Sequence, residues 1–240
     1  MAKSVSTDSS KMQRDNQYEI SLKDDKIRNL RNSEVLLSTA YLASVEYITV
    51  LLYAKKVILE QNETYQKQSY RNRCRIATSN GIMDLNIPVI KNTGDSVKEV
   101  RISDHNNWQV QHWRSIETAY NSSPFFEFYS DDLRPFYEKK WVFLWDFNNE
   151  LQRVICKLLD FENEISFSAG YEAFPSNGTI DLRNSIHPKK KPLIEITPYY
   201  QVFEQKFGFI SNLSILDLLF NMGNEAQLVL KNTALNLGLI

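Results

Sequence analysis

The sequence predicts a single-domain α/β (α+β) fold: a mixed sheet with an Asn-Gly hairpin, packed by several helices. Three observations carry this expectation. Val35-Leu36-Leu37 is followed by a helical stripe and then by Val57-Ile58-Leu59, the order of a β-α-β unit. Asn80-Gly81 separates two alternating segments, as in a tight hairpin. Leu144, Phe147, Leu151, Val154, Ile155 and Leu158 recur with helical spacing, the strongest amphipathic pattern in the chain. At 240 residues the chain lies at the upper end of ordinary single domains and can bury roughly 70–75% of its unfolded surface.

Residues 1–32 are rich in Ser, Lys, Arg, Asp and Asn and are expected to form a flexible or loosely docked tail, with the folded domain at 33–240. Ser38 or Thr39 is placed to cap a helix carrying Leu42, Val45, Tyr47, Val50 and Leu51. With Asn80-Gly81 as a two-residue turn, Thr78 faces Met83, Ile76 faces Leu85 and Cys74 faces Ile87. Alternation then puts Arg71, Arg73 and Arg75 on the opposite face. Val97 to Ser103 reads as another short strand, and Trp108 to Tyr120 as a helix with Trp108, His112, Ile116 and Ala119 on one stripe. Residues Glu164 to Pro198 mix short strand-like pieces with prolines, glycines and the basic run Lys189-Lys190-Lys191, and read as loop with the character of a flap. Ser214 and Asp217 form a capping box for a last apolar helix that Gly223 ends.

Composition narrows the function classes. A formal net charge of −1 and a pI near 6.3 remove the broad positive field of nucleic-acid binders, so any anion site must be local. Single-stranded RNA binding through Tyr65, Tyr70 and the arginines is disfavoured for that reason, and no nucleic-acid partner is expected. Two cysteines make no disulfide framework, the first residues lack an apolar signal core, and the best apolar stretch, Tyr41 to Leu52, is interrupted by Glu46. The chain therefore reads as cytoplasmic, without a transmembrane segment. Aromatics, at 12%, are placed by this reading in pockets and interfaces, with Trp141 and Trp145 as anchors that leave an oligomer open.

The segment from Glu60 to Arg73 is the richest in chemistry. It holds Glu60, Glu63, Tyr65, Gln66, Lys67, Tyr70, Arg71, Asn72 and Arg73 between two predicted strands. Arginine forks bind phosphates and carboxylates bidentately, and tyrosines add a stacking face, so a small anionic or sugar-linked ligand fits. The competing reading is an internal ion-pair network in which Glu60 or Glu63 partners an arginine. His112 is the catalytic candidate, since its helix puts it on a semi-buried stripe where an imidazole can move protons near neutrality. His105 and His187 fall in loops and have weaker claims. The hairpin faces Cys74 into an apolar surface, which disfavours a Cys74–His112 acyl-transfer pair. No metal-ligand spacing and no glycine-rich phosphate loop is present, so no metal or cofactor is expected. On the last helix, Asp217 and Asn221 either cap and end it or face the pocket to orient sugar hydroxyls.

Four blocks together resemble the WbqC family of bacterial polysaccharide-cluster proteins. They are Tyr65 to Arg73, Trp108 to His112 with Ile116 to Tyr120, Ser123-Pro124-Phe125-Phe126, and Leu213 to Asn221. The resemblance covers roughly residues 35 to 230. It implies a role in O-antigen-type surface glycan biosynthesis and supplies the substrate class; with the basic-aromatic loop and the helix-borne His112 this gives a transferase on a nucleotide-linked or phosphorylated sugar precursor, the alternative being a non-catalytic binding or assembly protein. It also groups Gln66 to Arg73, His112, Tyr120, Asp217 and Asn221 into one site. Near the start, Thr39-Ala40-Tyr41-Leu42-Ala43-Ser44 keeps the tyrosine of the family's Gln-Pro-Tyr-Phe-x-Pro pattern, making Tyr41 a site candidate, but lacks both prolines.

Overall fold

A computed structural model describes residues 30–92, 94–161, 165–176 and 178–236. The β-α-β unit is present as predicted. Strand β1 (Glu34–Ser38) leads through helix α1 (Val45–Tyr53) to β2 (Lys56–Glu60), which pairs with β1 in parallel, Val35 opposite Val57 and Leu37 opposite Leu59. The cap of α1 is Ser44, whose hydroxyl accepts from the Tyr47 amide at 3.4 Å. Both the expected cap position and the single stripe differ from the outcome: α1 is buried all round from Val45 to Leu52, the pattern of a central helix.

After β2 the chain forms an antiparallel hairpin of β3 (Arg73–Thr78) and β4 (Gly81–Asn86). Its register is shifted by two residues from the expectation: Thr78 pairs with Gly81, Ile76 with Met83 and Cys74 with Leu85. The Thr78 hydroxyl accepts from the Asn80 amide at 3.2 Å and donates to the Gly81 carbonyl at 2.8 Å. The turn therefore closes around Ser79 and Asn80, and Gly81 takes the positive φ of 103°. A shift of two preserves the faces. Cys74 and Ile76 are buried, while Arg73 and Arg75 lie opposite and both contact Asp84. Short strands β5 (Val89–Ile90) and β6 (Arg101–Ile102) pair antiparallel, so only the end of Val97 to Ser103 is strand.

Helices α2 (Trp108–Tyr120), α3 (Phe126–Leu133), α4 (Pro135–Glu138) and α5 (Leu144–Leu158) follow. The buried residues of α2 are Trp108, His112, Ile116, Ala119 and Tyr120, the predicted stripe. Strands β7 (Ile165–Phe167) and β8 (Thr179–Asp181) lie within the segment read as loop. They complete an all-parallel sheet of order β7-β2-β1-β8, from which the hairpin stands apart as its own ladder. Helix α6 (Glu204–Phe207) precedes α7 (Ile215–Met222), capped by Ser214 and ended at Gly223, and α8 (Ala226–Leu235) packs on α1. Among the described residues no helix is long and apolar enough to cross a membrane.

The aromatics are mainly a core device, contrary to their placement in pockets and interfaces. Trp108, Tyr41 and Trp141 surround Phe147 with centroids 5.4–5.8 Å away, and Trp145 is buried against Phe167. Tyrosine hydroxyls find partners inside: Tyr47 donates to the Ser38 carbonyl at 2.8 Å, and Tyr41 bonds His112 Nδ1 at 2.9 Å and Tyr137 at 3.0 Å. Residues 1–29 of the expected tail lie outside the described residues. Leu30, within its predicted bounds, is 1% exposed and belongs to the core.

Candidate functional site

All four parallel strands bring polar side chains to their carboxyl ends, the edge at which open α/β sheets place ligands. Ser38 ends β1, Glu60 ends β2, Ser168 follows β7, and Asp181 and Arg183 lie at the end of β8. There two arginines are held by carboxylates. The Arg71 guanidinium donates to both Glu63 oxygens, at 2.8 and 2.5 Å, and to the Ser38 hydroxyl at 2.7 Å. The Arg71 and Glu63 side chains are 2% and 4% exposed. Arg183 pairs with Asp181 at 2.6 Å and with Glu60 at 3.3 Å. Glu60 also accepts from the Ser168 hydroxyl at 2.5 Å and the Asn62 amide at 2.8 Å. A narrow crevice between the ends of β1 and β8 is lined by Ser38, Thr39, Tyr70, Arg71, Arg183 and Ile186.

Beside this crevice opens a larger cleft of about 770 Å³, between the loop after β2 and the segment from Asn86 to Asn92. The two walls are tied at Asn72, whose carbonyl accepts from the Ile87 amide at 2.8 Å and whose side chain donates to the Ile87 carbonyl at 2.7 Å. Lys67, Arg73 and Lys91 line the cleft with Tyr65, Gln68, Asn72, Asn86 and Asn92, and among the described residues its lining contains no carboxylate. Arg73 is steadied from outside that lining by Asp84 at 3.1 Å, and by Asn86 at 2.7 Å. Lys91 lies over the Tyr65 ring at 5.4 Å. Burial pushes the Tyr65 phenol up to about 12, so it stays protonated.

The candidate residues thus divide by place. Tyr65, Lys67, Asn72 and Arg73 come together in the cleft, and Tyr70 and Arg71 line the adjoining crevice. Gln66 is exposed on the connecting loop. For Arg71 the internal ion-pair reading describes the geometry: it precedes β3, so strand alternation does not reach it, and its guanidinium is engaged by Glu63. His112 is buried between Trp108 and Tyr41, with one ring nitrogen on Tyr41 and a hydrogen bond to the Asn86 backbone. Desolvation lowers its pKa to about 4, leaving a neutral ring beneath the cleft wall. Arg71, Arg73 and His112 are therefore neighbours, but only Arg73 opens onto the cleft.

Tyr120, Asp217 and Asn221 form a separate buried cluster. Asp217 accepts from Tyr120 at 3.0 Å, Tyr199 at 2.8 Å and Gln201 at 2.7 Å, and burial still raises its pKa to about 6. Asn221 donates back to the Asp217 carbonyl within α7. These three do not reach the cleft. Sequence reasoning passed over Asn86, the last residue of β4, and Lys91, in the short connection after β5; neither lies in the charge-dense loop, and only their clustering in space with it marks them.

A second groove, of about 830 Å³, runs along α5 beside β7. It mixes Asp146, Glu150 and Asp160 with Lys139, Arg153 and Lys157, so it offers no field of one sign. Among the described residues no cluster of three or more His, Cys, Asp or Glu could hold a metal ion.

The fold and this geometry define an α/β protein with a cationic cleft beside the carboxyl edge of a small parallel sheet. A model described as the WbqC-like protein family matches residues 39–190, and the chain belongs to that family. It is also 26% identical over 218 residues to an uncharacterized protein, Rv1507c, of Mycobacterium tuberculosis, covering 80% of this chain and 94% of the relative. No solved structure matches significantly.

Proposed function

We propose that the cleft binds a nucleotide-linked or phosphorylated sugar precursor, on which the protein acts as a transferase in bacterial surface glycan (O-antigen type) biosynthesis. The observation that supports this most is the lining itself: three cations without a carboxylate, beside amides suited to sugar hydroxyls and one aromatic ring. The pathway and the substrate class rest on the family resemblance, and the transfer step on the basic-aromatic loop with the helix-borne His112. The test is a thermal-shift and calorimetry panel of nucleotide sugars and sugar phosphates. A ligand at about 100 times its Kd stabilises by about 2.7 kcal/mol. Binding that Lys67→Ala and Arg73→Gln weaken supports the site; a panel that binds nothing, or binds equally to these variants, removes it.

A second reading, a non-catalytic binding or assembly protein, is favoured by the burial of His112, the residue assigned to proton transfer. Turnover separates the two. Ligand binding without conversion in the presence of acyl and aminoacyl donors and of glycosyl acceptors supports the binding protein.

A further inference from the structure

The segment after β8 touches a lining residue of each opening. Ile186 lines the crevice with Arg71, Pro188 is buried, and the Lys189 ammonium is hydrogen-bonded to Gln68 Oε1 on the cleft. His187 sits between these anchors and is half-buried. Its Nδ1 lies 3.1 Å from the Lys189 backbone nitrogen, which donates to it. That bond leaves the proton of the neutral ring on Nε2. Among the described residues no protein group is paired with Nε2.

We propose that His187 is a ligand-contacting residue: its Nε2–H and the Lys189 ammonium form a second wall that grips a phosphate-bearing ligand opposite Lys67 and Arg73. This rests on the anion-binding reading of the cleft and extends it to the segment that Lys189 ties to Gln68. The charged groups facing His187 are Lys189 and Lys190 of its own segment, Arg71 of the loop after β2, and Arg73 at the start of β3. Desolvation first, then these cations, lower its pKa, so the ring is neutral at pH 7 and donates through Nε2 alone. An anion in the cleft opposes that field and moves the titration of His187 to higher pH, an effect that a purely structural histidine beside an empty surface would not show.

The experiment uses the full chain and inorganic pyrophosphate as the probe. Nitrogen-15 NMR follows the three histidines, which single variants of His105, His112 and His187 assign, while calorimetry measures Kd. The expected result is a saturable shift of the His187 Nε2 signal at the calorimetric Kd, with its titration moved upward. His187→Ala should weaken binding several-fold and His187→Gln, which keeps a donor near Nε2, should restore most of it; Lys189→Ala should weaken it similarly. Binding that depends on Lys67 and Arg73 while His187 is unmoved overturns the second wall and leaves the cleft standing. Failure of pyrophosphate to bind overturns both. Competition by a nucleoside diphosphate sugar and by a soluble isoprenyl diphosphate sugar then separates the two carriers of the same group.

Discussion

Replacing Arg71 by Met tests whether the least exposed arginine of the motif serves the fold or the ligand. The substitution removes three charge-assisted hydrogen bonds, two to Glu63 and one to Ser38, and leaves the Glu63 carboxylate buried and uncompensated. Removing one partner of a pair this buried costs about 3–5 kcal/mol. For a chain of this size each kcal/mol moves the melting temperature by about 2–4 °C, giving a fall of about 6–20 °C. Urea denaturation of Arg71→Met, Glu63→Leu and the double variant forms a cycle. The double variant is expected to be more stable than Arg71→Met, because no charge is left unpaired, with a coupling of at least about 2 kcal/mol. An Arg71→Met protein within about 1 kcal/mol of the parent that had lost binding would refute this reasoning and make Arg71 a ligand residue.

Lys91→Ala should lower affinity for an anionic probe several-fold, and added salt should shrink the difference, since the residue lies at the cleft mouth and its charge is screened. Glu46 and Asp217 give a pH signature. Burial raises their pKa values to about 7 and about 6, above their unfolded values, so the stability they contribute is full in acid and is lost as pH rises from about 4 to about 7. Glu46→Gln should flatten the rise of stability toward acid in a series of melts; an unchanged profile would count against the assignment. Native labelling with a thiol reagent should reach Cys156, which lines the second groove, before Cys74, which is 1% exposed with its pKa raised by burial. Leu30→Ala should cost about 2–4 kcal/mol, whereas a construction beginning at residue 30 should melt within a few degrees of the full chain; equal losses would place the domain start earlier.

The β-α-β unit was legible because Val35-Leu36-Leu37 and Val57-Ile58-Leu59, buried but for a half-buried Ile58, read as continuous apolar runs. Strands β7 and β8 were legible only as short strand-like pieces in a segment read as loop: each is three residues long, too short for alternation to fix its bounds or its place in the sheet. The hairpin was found and its register was not, since Asn80-Gly81 satisfies the sequence rule for one turn while the Thr78 hydroxyl selects another. Charge density marked the Glu60 to Arg73 loop correctly as unusual. It could not tell which arginine would be swallowed by Glu63 and which would reach solvent, because that depends on where the chain crosses the edge of the sheet. The aromatic content misled for a related reason: a tyrosine hydroxyl can be satisfied by a backbone carbonyl or another phenol in the core as well as by water.

The sheet order also sets when the crevice can exist. Ser38 and Arg183, bonded across it, are 145 residues apart in the chain. A ribosome adding about 5–20 residues per second spends about 7–30 s between the two. During that interval β1 and β2 can close locally, but the β1 edge that β8 will occupy is an open template, and the Arg183 that pairs with Glu60 has not been made. Parallel closure over so long a loop is slow. Nascent chains stalled before β8 should therefore be the species that chaperones hold, and C-terminal truncations that remove it should aggregate through that edge rather than yield a smaller soluble domain.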